Sequence, residues 1–158
     1  MKTVLITLFI FLISSCKPSP PELQTGSQSI VEDLDQLHLV LDLYTAEEFT
    51  KIMGLMKMDS SAPDGANYML MATIMEKPDV ETTKPKQLRD LNLKFSIKDP
   101  NETILNPVVK TISNEHMAHY ASALELSESG VYHIETSFSH GGQVHSNLSS
   151  FGIKLFTK

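Results

Sequence analysis

Two stretches of the chain gather side chains able to hold a soft metal ion. His116-Met117-Ala118-His119 places two imidazoles and a thioether within four residues, and Met53, Met56 and Met58 crowd into six residues upstream. Thioether sulfur suits Cu(I), while imidazole suits copper, zinc and iron. If 116–119 is extended, Met117 and His119 project to one face and His116 to the other; if it is a loop, all three can converge. In an oxidising compartment a copper site of Met and His makes chemical sense, because thiolates there are oxidised or paired. Packing is the competing reading. Methionine also fills irregular cores, Met53 and Met56 share the apolar face of an expected helix, and two histidines at a strand edge are equally at home in solvent. His38, His133, His140 and His145 stand alone, and His140 and His145 flank Gly141-Gly142 as surface residues would.

Catalytic patterns are missing from the sequence. It has no Gly-x-Ser-x-Gly elbow, no glycine-rich phosphate loop and no His-Glu-x-x-His segment. Its histidines and carboxylates show no spacing that marks an acid–base pair. A protein that binds rather than turns over is expected.

The elements that must position these residues read mostly as strands. Leu37, Leu39, Leu41 and Leu43 alternate through Tyr44, the pattern of a first strand. Thr45 then offers an N-cap, Glu47 and Glu48 suit a first turn, and Phe49, Ile52, Met53 and Met56 fall at helical spacing. One short helix at about 46–57 follows, with Gly54 weakening its middle. Asn67 to Met75 is a strand with Tyr68, Leu70, Ala72 and Ile74 on one face and Met69, Met71 and Met75 on the other. Leu91 to Ile97 and Val108 to Ile112 are further strands. Asn114 to Leu126 and Val131 to Phe138, joined by Ser127-Glu128-Ser129-Gly130, read as a β-hairpin. A last strand carries Phe151, Ile153 and Leu155. Six to seven short strands and one helix describe an all-β domain, an antiparallel immunoglobulin-like sandwich, with a small β-barrel as the alternative. Leu93, Phe95, Ile97, Tyr132, Ile134, Phe138, Phe151, Ile153 and Leu155 should share its core.

Residues 1–15 read as a signal peptide: Lys2 gives a positive start, and Val4 to Ile13 is an apolar run too short to span a bilayer. Ile13-Ser14-Ser15-Cys16 resembles the lipobox of bacterial lipoproteins, in which the chain is cut before the cysteine and that cysteine carries lipid. An ordinary signal peptide followed by a spare thiol is the other reading. Cys16 is the only cysteine, so no intramolecular disulfide can form. Residues 16–33, rich in Pro, Ser, Gln and Gly, read as a flexible tether, leaving 34–158 as the domain. Without Lys2 the chain carries 12 basic and 19 acidic residues, a formal charge of −7. That balance, with no basic cluster, argues against nucleic acid as partner. Membrane attachment would come from the lipid. Lys17 in place of Asp after the cysteine resembles sorting signals for the outer membrane.

His119-Tyr120-Ala121, followed by Leu124, Leu126 and Gly130-Val131-Tyr132, is similar to the His-Tyr-x-Ala … Leu … Gly-x-Tyr pattern of small exported sandwich domains. These include the YtkA-like domains and the periplasmic iron-transport lipoproteins that bind copper or manganese. The resemblance covers about residues 66–156. It implies that His119, matching the histidine of their His-Tyr-Gly-Ala segment, ligates metal. Their upstream His-x-Glu strand has its nearest counterpart in Asn67 to Met75, which offers methionines instead. The expected protein is a lipid-anchored periplasmic binder or chaperone of a transition metal, copper above all, held by His116, His119, Met117, Met53, Met56 and Met58. The rival is a non-catalytic structural or protein-interaction module of the cell envelope with no metal, whose partner is another envelope protein.

Overall fold

The computed structural model describes residues 19–78 and 85–155. Its elements are β1 (Gln28–Leu34), β2 (Leu37–Thr45), α1 (Ala46–Leu55), β3 (Tyr68–Glu76), β4 (Lys86–Gln87), β5 (Lys94–Lys98), β6 (Ile104–Leu105), β7 (Lys110–Ser113), β8 (Ala118–Leu124), β9 (Gly130–His140) and β10 (Gln143–Ile153). One sheet runs β1-β2-β3-β8-β7 with β4 also on β3, and the second runs β10-β9-β5-β6. All the strand pairings are antiparallel. Two separate sheets, not a closed barrel, make this the all-β sandwich that the alternation implied.

The alternation builds the core directly. Leu37, Leu39, Leu41 and Leu43 of β2, Leu70, Ala72 and Ile74 of β3, and Tyr120 and Leu124 of β8 all turn inward. They meet Phe95 and Ile97 of β5, Tyr132, Ile134 and Phe138 of β9, and Phe151 and Ile153 of β10. Eight of the nine expected core residues are buried there; Leu155 packs against the core half-buried. Tyr120 and Asn67 tie the core to its connections, while Thr136 Oγ1 inside it has no hydrogen-bond partner. Tyr120 accepts a hydrogen bond from the Leu91 amide at 3.0 Å, and the two ends of the Asn67 amide bond the backbone of Leu126.

Four expectations are corrected. The tether was expected to reach Asp33, yet 28–34 is β1, because Ile30 and Leu34 pack against the core and the backbone pairs with β2. The stretch from Asn114 to Phe138 is not a hairpin: β8 pairs with β3 and β7, while β9 pairs with β10 and β5. The connection crosses from one sheet to the other, pinned by buried Leu126 and by the Tyr132 hydroxyl donating to Glu128 carbonyl at 2.8 Å. The true hairpin is β9–β10, turned at Gly141 and Gly142 with φ of 58° and 78°, the left-handed pair a two-residue turn of this kind requires. The described residues also hold more strands than six or seven, since two-residue β4 and β6 carry no readable alternation.

Helix α1 spans Ala46–Leu55 rather than reaching 57, because Lys57 turns left-handed at φ 54°. Thr45 caps its start, its hydroxyl accepting from the Glu48 amide at 3.2 Å and donating to the Glu48 carboxylate at 2.7 Å. No neighbour approaches the position of Gly54's missing side chain, so the glycine forfeits no packing there and costs the helix only its backbone entropy. Thr45→Ala should cost about 1 kcal/mol. Urea denaturation of the two proteins checks it.

Candidate functional site

The outer face of the larger sheet carries a second apolar cluster, separate from the core between the sheets. Residues at odd positions of β3 and β8 point to it: Met69 and Met71 on β3, and Met117, His119 and Ala121 along the β8 segment. α1 lies across β2 and β3 and buries Phe49 and Met53 against that face. Met58, in the segment after the helix, is buried in the same cluster, and Met56, Met117, Ile112 and Tyr44 pack at its margin. Six of the seven internal methionines therefore meet in one place.

His119 sits within this layer. On its own strand its same-face neighbours are Met117 and Ala121, and on β7 its partner in register is Ile112. All three belong to the methionine cluster or pack on it. Met71 faces Ala121 across β3, one pair diagonal to the imidazole. His119 is only 7 % exposed. Its Nδ1 lies 2.7 Å from Thr73 Oγ1, while its Nε2 is buried with no hydrogen-bond partner. Leaving such a nitrogen unsatisfied costs about 1–3 kcal/mol. Among the described residues Thr136 Oγ1 is another buried orphan, but it lies in the core between the sheets.

The electrostatics favour a neutral ring. Burial lowers the His119 pKa below its ordinary 6.5, and the Asp42 carboxylate opposes the shift. Asp42 faces Met71 across β2 and, after burial, helps raise the Tyr44 hydroxyl to about 12. A stability consequence follows from the sign of the His119 shift. As pH falls through about 6.5, the unfolded chain takes up a proton that the folded imidazole resists. Stability should be complete above that pH and drain away as pH drops toward the lowered folded value. His119→Gln should flatten this part of the profile, which urea midpoints measured from neutral pH down to about 5 would show.

The other sequence candidates fall in varied places. Met53, Met56, Met58 and Met117 join the cluster, on the sheet face that His119 shares through β8. His116 does not. It stands exposed in a turn where Asn114 Oδ1 accepts the amides of His116 and Met117, both at 2.8 Å. Cys16 lies outside the described residues. Met69 and Met71 were missed as site residues although their shared face on β3 was visible in the alternation. Among the described residues no three of His, Cys, Asp and Glu gather to hold a metal ion. A metal here would depend on thioether sulfur.

A groove of about 590 Å³ opens beside the cluster, floored by Met69, Ala121 and Ile112 and walled by Met58 and β7. At another end of the sandwich, His140 and His145 line a groove of about 500 Å³ with Glu76 and Asp35, and His140 Nε2 lies 3.7 Å from Glu76. His145 is stacked on Phe138 with ring centroids 5.1 Å apart. His133 is held by Ser150 at 2.7 Å.

No family model matches the chain, and no curated protein matches it in sequence. Solved structures do match in shape. A DUF4426 family protein of Pseudomonas aeruginosa superposes with a TM-score of 0.57 at 13% identity, over 78% of this chain and 96% of that one. FetP of uropathogenic Escherichia coli strain F11, as isolated after expression in the periplasm, gives 0.58 at 10% identity, over 83% and 99%. A copper-bound single-residue variant of FetP gives 0.57 at 10% identity, over 86% and 96%. Identities this low establish the fold. The chain is a two-sheet β-sandwich of the kind seen in FetP and the DUF4426 protein, and the likeness does not single out the YtkA-like domains.

Proposed function

We propose that this protein is an exported, lipid-anchored binding protein that takes a soft transition-metal ion, Cu(I), on the outer face of its larger sheet. His119 would hold it through Nε2, with thioethers drawn from Met117, Met71, Met58 and Met53. Met56 stands at the margin, and the exposed ring of His116 lies outside the buried donor set. One observation carries the reading: a buried imidazole nitrogen without a partner, set among methionines on one face. Thr73 complements it. If the His119 Nδ1–H donates to Thr73 Oγ1, Nε2 keeps its lone pair, the form that ligates. Burial keeps that ring neutral. Thioether and imidazole are ligands matched to Cu(I), and hard cations such as Mg²⁺ and Ca²⁺ would find few oxygens here. The copper-bound FetP variant, sharing the fold, lends support. The role would be supply or chaperoning rather than catalysis, from the periplasmic face of the outer membrane, with Cys16 carrying the lipid.

The close burial of Met53, Met69 and Met71 favours a second reading, in which the sulfurs only pack α1 onto the sheet. The protein would then be a non-catalytic interaction module of the cell envelope. Anaerobic titration of the soluble domain with Cu(I) separates the two. Saturable one-to-one binding, unaffected by excess Mg²⁺, is expected. Weak binding that is the same in wild type and in His119→Gln would leave only the packing role.

A further inference from the structure

The segment before β1 is part of the sandwich. The Gln24 amide donates to the Gly152 carbonyl at 2.9 Å, and the Lys154 amide donates to the Gln24 carbonyl at 2.8 Å. These bonds make a parallel bridge between Gln24 and Ile153. Gln28 Nε2 donates to the same Gly152 carbonyl at 2.9 Å. A side chain at 152 is excluded: its Cβ would stand 2.2 Å from the Glu22 carbonyl oxygen. The strap thus caps the C-terminal end of the free edge of β10, backbone that would otherwise be open to other chains.

Direction matters here. Because the bridge is parallel, residues before Gln24 run back along β10 instead of leaving at its end. They lie where β10 and β1 close one side of the sandwich, the side on which Ser149 Oγ donates to Glu32 at 3.3 Å. Only five Cα steps separate Cys16 from Pro21, a reach of no more than about 18 Å. The strands and strap of this side also expose Leu23, Val31, Val144 and Leu148, half of the large apolar side chains in solvent among the described residues. On the far side, β7 borders the methionine-floored groove. Four strand spacings, roughly 19 Å, separate β1 from β7.

We infer that the short N-terminal connection holds the β1–β10 edge against a lipid headgroup surface and turns the groove beside β7 away from the bilayer. The inference rests on lipidation of Cys16. Glu22, Glu32 and Asp33 on this side, and the chain's negative charge, favour zwitterionic over anionic headgroups. The groove is then presented to soluble partners rather than to lipid.

Energy transfer tests it on the full lipidated protein in phosphatidylcholine vesicles carrying a headgroup acceptor dye. Donor dyes are placed singly at Val31→Cys and Val108→Cys, both exposed, on the β1 and β7 sides; Cys16 is blocked by its lipid. Transfer from position 31 should exceed transfer from 108 several-fold. Equal transfer, in protein that floats with the vesicles, overturns the edge-on placement. Protein that fails to float refutes the anchor, and the placement falls with it. A flexible Gly-Ser spacer inserted after Lys17 should shrink the difference. An undiminished difference would refute the short connection as its cause.

Discussion

Phe95→Ala should destabilise the protein by on the order of 3–5 kcal/mol, the range for emptying a fully buried aromatic site. Phe95 is 2 % exposed and lies on the inner face of β5, in the same core as the leucines of β2. Its strand is held on one side by β9 and on the other only by two-residue β6, so β5 has little backbone pairing to compensate for a cavity. Phe49 makes the instructive comparison. It is equally buried, but in the outer cluster beneath α1. Phe49→Ala should loosen the helix and the methionine layer while leaving the sandwich core intact. Chemical denaturation with two probes, one on the sheets and one on the helix, distinguishes them. A cost for Phe95→Ala below about 1 kcal/mol, the scale of a surface change, would mean that the two sheets do not pack as described.

The fold was legible wherever one face alone meets a core. Leu37 to Leu43 and Phe95 to Ile97 alternate because their outward neighbours face a different environment, and period two reports that directly. β1 escaped because it is an edge strand with Gln28 and Glu32 alternating with Ile30 and Leu34, a pattern too polar to separate from a tether. The misread hairpin has another cause. Two alternating segments joined by a short turn imply adjacent pairing, but β8 already has neighbours on both sides, β3 and β7. Sequence proximity carries no information about those distant strands. The site divides similarly. His119 and the three methionines Met53, Met56 and Met58 were visible as types and spacings, and β3 showed its methionine face. That the helix lays Met53 on Met69 and Met71, and that Thr73 meets His119, depends on long-range register that no local pattern encodes.

Removing the imidazole should affect metal binding more than any other single change. His119→Gln should weaken Cu(I) binding by on the order of 100-fold or more, since loss of an outer-shell partner alone already costs about 10–100-fold. Thr73→Val tests that outer shell. It keeps the side chain's volume, removes the Nδ1 partner, and should cost about 10-fold or more. Met71→Leu and Met58→Leu preserve packing but delete a sulfur, so binding should fall while the denaturation midpoint barely moves. His145→Gln, whose ring is stacked on Phe138 away from the cluster, should bind as the wild type does. Acid should weaken binding only below the lowered His119 pKa, and only in part, because thioethers do not titrate. These responses separate ligation from packing. Methionines that only fill space would let both leucine variants bind as the wild type does, and the imidazole would then stand alone among side chains that hold the helix in place.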